Sequence, residues 1–447
     1  MRRFIFNMLV VAVWGLVPSL GMAQEVSLSS LVLEAVANNA EIQATREEVR
    51  GFLAASGYAG ALPNPKLGVG LINLPVDGLA MDQEPMTQKQ LSITQRFPWP
   101  GKRSLAADAK RVSAQKAESR LKEQVLVLQR EVASLYYELW FVGESLRLNT
   151  ELFELVTQAT EASASRYGAG REVQRAVLAG ELELSQLTDE RMLLEGRRRS
   201  LEVGLNRLLQ REYYRVVRPE VRLDLPQLRA AQEWVARADA ENPRLEMLGR
   251  TLDLSRISLS LAEKEAMPDV DIKVAYGQRE DDPMGNNRDD FFSLSVSIPV
   301  PVWKHRREDR LIASRRAGER AAILGYQGYE RELPHRIEGL STDMATALDR
   351  HLFYRDDLVP RARQLSEASV SRYEVGGASF DQMIDAVMAV LRSELKARMF
   401  LRDALVAEAN LKVVAGDVFP GVASIVNREA LTRERVFKRS EAQGVAK

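Results

Sequence analysis

Apolar residues along the chain follow two periods, and the alternation between them lays out the predicted elements. From Leu121 through Val125, Leu128, Val132, Leu135, Leu139 and Val142 to Leu146, apolar side chains recur at steps of four and three. That spacing lines one seam of a long helix, the pattern of a coiled coil. No proline falls between Ser104 and Tyr167, so a nearly continuous helix there runs to about 95 Å at a 1.5 Å rise per residue. A compact globule cannot contain it. Leu333, Ile337, Leu340, Met344 and Ala347 repeat the seam later in the chain.

Four shorter segments switch to a period of two. Leu67, Val69 and Leu71 alternate with Lys66, Gly68 and Gly70, and Leu91, Ile93 and Phe97 with Gln90, Ser92, Thr94 and Arg96. Val270, Ile272, Val274 and Tyr276 alternate with Asp271, Lys273 and Ala275, and Phe292, Leu294, Val296 and Ile298 with Ser293, Ser295 and Ser297. A half-buried soluble sheet and a membrane-spanning strand both produce this pattern. The loops inside the two pairs, Pro75 to Met86 and Glu280 to Asp290, are long and polar, as on one side of an outer-membrane barrel. In hydrocarbon every backbone polar group must be paired, and four strands are too few to close a barrel alone. On the membrane reading the barrel is therefore shared between chains related by cyclic symmetry.

The elements recur in one order. Asn39-Ala40-Glu41-Ile42 and Asn242-Pro243-Arg244-Leu245 open helices that Pro63 and Pro268 end. Phe97-Pro98-Trp99-Pro100-Gly101-Lys102-Arg103 and Val300-Pro301-Val302-Trp303-Lys304-His305-Arg306 close the strand pairs, and Ser165-Arg166-Tyr167-Gly168-Ala169-Gly170 returns as Ser371-Arg372-Tyr373-Glu374-Val375-Gly376. The pairs lie roughly 203 to 206 positions apart, the mark of an internal duplication. The expected division is a first repeat at 24–211, a linker at 212–225, a second repeat at 226–416 and a tail at 417–447. The strand pairs fall at about 66–98 and 269–300, and the helical hairpins at about 100–211 and 302–416.

Composition narrows the function. Lys plus Arg and Asp plus Glu both number 62, so no net basic field exists to gather nucleic acid. Residues 1–23 read as a secretory signal: Arg2 and Arg3, an apolar run from Phe4 to Leu20, and Gly21-Met22-Ala23 before Gln24. An anchoring helix is the other reading of that run, against which Pro18 and its short length argue. The sequence contains no cysteine, which excludes disulfides and a lipid on an N-terminal Cys. His305, His335 and His351 lack metal-site spacing, and neither a nucleophile elbow nor a phosphate-binding loop occurs. No catalytic, cofactor or metal site is predicted.

In this order of leader, helix, strand pair and long hairpin, given twice, the chain resembles the TolC family of outer-membrane efflux proteins across nearly its whole expected mature length. The Phe-Pro-Trp-Pro-Gly-Lys-Arg segment and the Tyr-x-x-Gly turns are the most specific matches. The resemblance implies a mainly α fold with membrane β: a homotrimer whose protomers each give four strands to a twelve-stranded barrel in outer-membrane lipid. Helical hairpins form an α-barrel across the periplasm. It further implies a passive channel that takes substrate from a periplasmic adaptor and an inner-membrane pump, the junction style pointing to the resistance-nodulation-division type of the heavy-metal subgroup. A secreted or periplasmic coiled-coil scaffold is the alternative.

The resemblance also assigns sites. Pro98, Pro100, Pro299 and Pro301 mark strand-to-helix junctions, which suit proline. Trp99 and Trp303 then fall at a membrane interface or serve packing. Gly170 and Gly376 belong to the hairpin turns at the far periplasmic end. Tyr373, Asp381 and Asp385 are the candidate gate; the two acids lie four apart on one helix face, forming either a threefold ring or a solvated face near a helix N-terminus. In the first half Glu172, Gln174 and Arg175 stand instead, and Ala378 replaces a basic latch residue of some relatives. Arg96, Asp271 and Lys273 are predicted to face the lumen.

Overall fold

The computed structural model describes residues 25–419 and 421–422; the expected leader and the expected tail beyond Val422 lie outside them. The chain begins with α1 (Leu28–Asn38) and α2 (Ala40–Gly60), then β1 (Lys66–Ile72) and β2 (Gln88–Phe97), then α3 (Lys102–Gly168) and α4 (Gln174–Leu209). The order repeats as α5 (Ala231–Glu241), α6 (Pro243–Glu265), β3 (Val270–Gln278), β4 (Phe291–Ser297), α7 (Glu308–Phe353), α8 (Val359–Glu374) and α9 (Phe380–Ala415).

The two asparagines that open the repeats do so as N-caps. The Asn39 side chain accepts from the backbone N–H of Ile42 at 3.0 Å, and Asn242 from that of Leu245 at 2.7 Å. Each satisfies one of the orphan donors of a helix start. Pro243 occupies the first turn of α6, where no N–H is needed.

α3 is a single helix of 67 residues, and the predicted seam is its buried edge: Val125, Val132 and Val142 are fully buried. Its second-half counterpart is broken by a π turn at Tyr354–Leu358 between α7 and α8, a feature absent from the sequence reading. Pro360 supplies the cause. It has no N–H for the carbonyl one turn back, and the Val359 N–H bonds instead to the Tyr354 carbonyl, a wider turn. Phe400 of α9 packs edge-on against Tyr354 at 5.3 Å, and His351, one turn earlier, holds the Ala397 carbonyl at 2.8 Å.

Three main cores hold the helices. The largest joins α1 (Leu31, Val32, Ala35) to the middle of α3 (Val132, Tyr136, Trp140) and the end of α4 (Leu205, Leu209). A second lies near the hairpin turns, around Leu152, Val156, Tyr373 and Phe380. The third packs Trp234 of α5 against Leu333, Ile337 and Leu411 of α7 and α9. Among the described residues no helix is long and apolar enough to cross a membrane.

α9 ends on Gly416, whose φ of +77° and closeness to α5 make it irreplaceable: a Cβ there meets the Glu241 carbonyl oxygen at 2.2 Å. Gly416→Ala is expected to cost at least about 2 kcal/mol, from left-handed strain plus a backbone clash. Thermal unfolding followed by helical circular dichroism tests this; an unchanged midpoint contradicts it.

Candidate functional site

The four strands form one antiparallel sheet in the order β1-β2-β3-β4. Register places like with like. Leu67, Ile93, Val274 and Leu294 form one row across the sheet, and Val69, Leu91, Tyr276 and Phe292 another. This face is bare: Val69 is 82% exposed, Phe292 73% and Leu294 65%. Among the described residues no helix covers it, which reverses the ordinary arrangement of a soluble sheet. The opposite face carries Gly68, Ser92, Ala275 and Ser293 in one row. Small residues on that side suit inward curvature.

Arg96, Asp271 and Lys273 lie on that polar face, as their parity predicts. Arg96 and Asp271 are register partners joined by a fork: Nε donates to Oδ1 at 2.9 Å and Nη2 to Oδ2 at 3.0 Å. Lys273 donates to Gln90 Oε1 at 3.4 Å. Two of the three charges therefore cancel locally. At the other end of the sheet, Arg279 and Arg288 tie the two long loops together, donating to the carbonyls of Pro85 and Asp82, each at 3.0 Å.

The strand-to-helix junctions are not equivalent. After β2 the chain turns through Pro98, Trp99 and Pro100, and Gly101 at φ +93° starts α3 at once. In the aligned motif Lys304 replaces Gly101, and a left-handed turn is costly for a side chain with Cβ. The chain leaving β4 accordingly runs past Pro299 and Pro301 through a 3₁₀ turn, Lys304–Arg306, before α7 begins at Glu308. Trp99 is 37% exposed and Trp303 58%.

Asp269, just before β3, clamps the first junction. Its Oδ1 accepts from the Trp99 N–H at 3.0 Å and from the Lys102 ammonium at 2.7 Å, while Lys102 also donates to the Met267 carbonyl at 2.7 Å. Sequence reasoning passed over this contact because nothing local connects positions so far apart.

At the far end the two turns share one geometry. Gly170 N–H bonds the Tyr167 carbonyl at 2.9 Å and Arg171 N–H the Arg166 carbonyl at 2.8 Å; Gly376 and Gly377 do the same to Tyr373 and Arg372 at 3.1 and 2.8 Å. Both glycines have positive φ, +67° and +76°. This is the Schellman ending, and it accounts for the Tyr-x-x-Gly repeat.

Their surroundings differ. Tyr373 is buried, with its ring 5.9 Å from that of Phe380 and its hydroxyl within 3.4 Å of Ser163 Oγ and 3.3 Å of Glu172 Oε2. Arg166 lies 4.5 Å above the ring and donates to the Tyr373 carbonyl at 3.1 Å. Its counterpart Arg372 instead donates to Gly377 in its own turn, at 2.9 Å. Arg175, which stands where the sequence lacks a second acid pair, donates to Asp381 Oδ2 at 2.9 Å. Asp385 is exposed and makes no ion pair or hydrogen bond among the described residues. Thus the structure joins Tyr373 and Asp381 to first-half residues Ser163, Arg166, Glu172 and Arg175, and leaves Asp385 apart.

Burial pushes the Asp269 carboxyl up, but the hydrogen bonds from Lys102 and the Trp99 N–H outweigh it and hold the group below its ordinary 3.8. A lowered carboxyl stabilises the fold fully above its unfolded value, and that contribution disappears as pH falls through the folded one. Asp269→Asn is expected to cost about 1–2 kcal/mol at neutral pH, since Lys102 loses a charged acceptor. The deficit in thermal midpoint should shrink as pH is lowered from about 7 to about 2; a constant deficit contradicts the assignment.

Scans against protein-family models and curated proteins find no match. Solved structures do match. The outer-membrane protein VceC of Vibrio cholerae superposes with a TM-score of 0.73 at 15% identity, over 87% of this chain and 96% of that one. CusC, described with transmembrane channel formation, gives 0.69 at 15% identity over 89% and 96%. The open state of the Neisseria gonorrhoeae outer-membrane channel MtrE gives 0.66 at 14% over 87% and 88%. With its bare apolar sheet face, two long helical hairpins and duplicated order, the chain has the TolC-like outer-membrane channel fold.

Proposed function

We propose that the chain is one subunit of a passive export conduit in the outer membrane, extending into the periplasm. One observation carries the reading: the sheet exposes its apolar face and leaves the outer edges of β1 and β4 unpaired among the described residues. In lipid the exposed face is satisfied, and the edges are satisfied only by other copies. The resemblance sets the number at three, giving twelve strands. A soluble scaffold has no use for such a face.

In this arrangement the repeats 24–211 and 226–416 each contribute one strand pair and one hairpin. The leader, 1–23, is cleaved, and the absence of cysteine leaves the mature chain without a lipid anchor. Arg96, Asp271 and Lys273 face the lumen. A periplasmic adaptor and an inner-membrane pump, of the resistance-nodulation-division type, deliver substrate to the end marked by Gly170 and Gly376, and the chain performs no catalysis.

The gate lies at that end. Threefold symmetry brings Asp385 into a ring of free carboxylates, which attracts cations. Asp381 adds little, because Arg175 neutralises it in the same protomer.

Detergent-extracted protein is expected to run as a heat-labile trimer and to open ion-conducting pores in a planar bilayer; a monomer soluble without detergent overturns the proposal. In such pores Asp385→Asn should lower cation preference, and Asp381→Asn should lower it less. Reversal potentials in a salt gradient decide, and a larger effect from Asp381→Asn refutes the assigned roles.

A further inference from the structure

The segment joining the two halves presents exposed aromatic and arginine side chains on the single chain. Tyr213 and Tyr214 are each 69% exposed, and their rings pack edge to face at 5.5 Å. They are not loosely held. Asn206, fully buried at the end of α4, donates through Nδ2 to the carbonyls of Tyr213 at 3.3 Å and Arg215 at 2.7 Å, fixing the turn that displays both rings.

The following residues are anchored by their backbone. Val217 is buried, Val26 pairs with the strip at Pro219, the Tyr136 hydroxyl accepts from the Glu220 N–H at 3.0 Å, and the Trp140 indole donates to the Val221 carbonyl at 3.1 Å. Arg215, Arg218 and Arg222 are exposed and, like Arg198 on the adjacent α4, form no ion pair among the described residues. Arg198 and Arg218 line a cleft of about 410 Å³ beside Trp140, together with Arg147, Glu144 and Glu202. Elsewhere on the helices arginines such as Arg147, Arg191, Arg197 and Arg237 are matched with carboxylates. Between Tyr213 and Arg222 the three arginines stand against one carboxylate, Glu220, so the strip carries an excess of positive charge beside its two exposed rings.

We propose that the strip binds the acidic glycan-peptide polymer of the cell wall, a reading that rests on the outer-membrane placement above. Rigid exposed rings offer flat apolar faces to saccharides at little entropic cost, and free guanidiniums form forked hydrogen bonds with stem-peptide carboxylates. Position selects this partner over lipid. The strip packs on Tyr136 and Trp140, about 50 Å along α3 from the strand junction at 1.5 Å per residue, beyond the reach of headgroups. A polymer mesh standing in the periplasm is the carboxylate-rich surface met at that depth.

The test uses the full-length oligomer in detergent and purified cell-wall sacculi. Wild type is expected to co-sediment, and Arg215→Gln/Arg218→Gln/Arg222→Gln to bind about tenfold more weakly. Tyr213→Ala/Tyr214→Ala should weaken binding several-fold, and sacculi with amidated carboxylates should lose it for wild type. Binding that survives the arginine substitutions or the amidation overturns the proposal, as does full competition by phosphatidylglycerol vesicles. Bilayer conductance and heat-lability of the oligomer should be unchanged in both variants. Loss of conductance in wild type instead contradicts the conduit, which separates the two failures.

Discussion

Every backbone N–H and C=O that enters hydrocarbon must find a partner, and on the outer-membrane placement proposed above that requirement governs the arrangement of this chain. Its four strands pair with one another in order, which satisfies the inner ladders and leaves one edge of β1 and one of β4 open among the described residues. An open edge in water is a liability; in lipid it costs several kcal/mol for each unpaired group. On that placement the exposed rows of Leu, Val, Ile and Phe face lipid, the solvent in which edges must close. In that proposal closure comes from other copies, and the long hairpins attached to each strand pair are carried into the same assembly.

Duplication supplies most of the material, but the halves have diverged at the points that hold the molecule together. Gly101 lets α3 start directly, whereas Lys304 in the same place forces a 3₁₀ detour. α3 runs unbroken, whereas Pro360 imposes a π turn on its counterpart. Arg166 reaches across to the other turn, whereas Arg372 stays in its own. Each difference traces to one residue whose backbone or hydrogen-bonding chemistry differs between halves. The outcome is a tip in which the second hairpin is gripped by the first through Arg166, Glu172 and Arg175.

The asparagine caps, the seam from Leu121 to Val142, the four alternating strands and the two Schellman turns were legible, because each is decided by neighbours within a few positions. The π turn had a readable cause in Pro360, which the heptad pattern obscured. The bond of Asp269 to Lys102 and the pairing of Arg175 with Asp381 were not legible. They join residues from opposite halves, and any arginine on any exposed helix face offers the same local signature.

By itself, then, the sequence determined the period of each segment, where helices start and stop, which face of each strand is apolar, and that four strands cannot close alone. Those properties follow from steric and hydrogen-bonding rules that act over one or two turns of chain. The tertiary structure alone decided that the apolar strand face lies bare, that Tyr373 is buried under Arg166, and that Asp381 pairs with Arg175 while Asp385 has no partner among the described residues. Such facts depend on which distant surfaces meet. Packing settles that through shape and charge summed over whole helices, and no short stretch of sequence carries it.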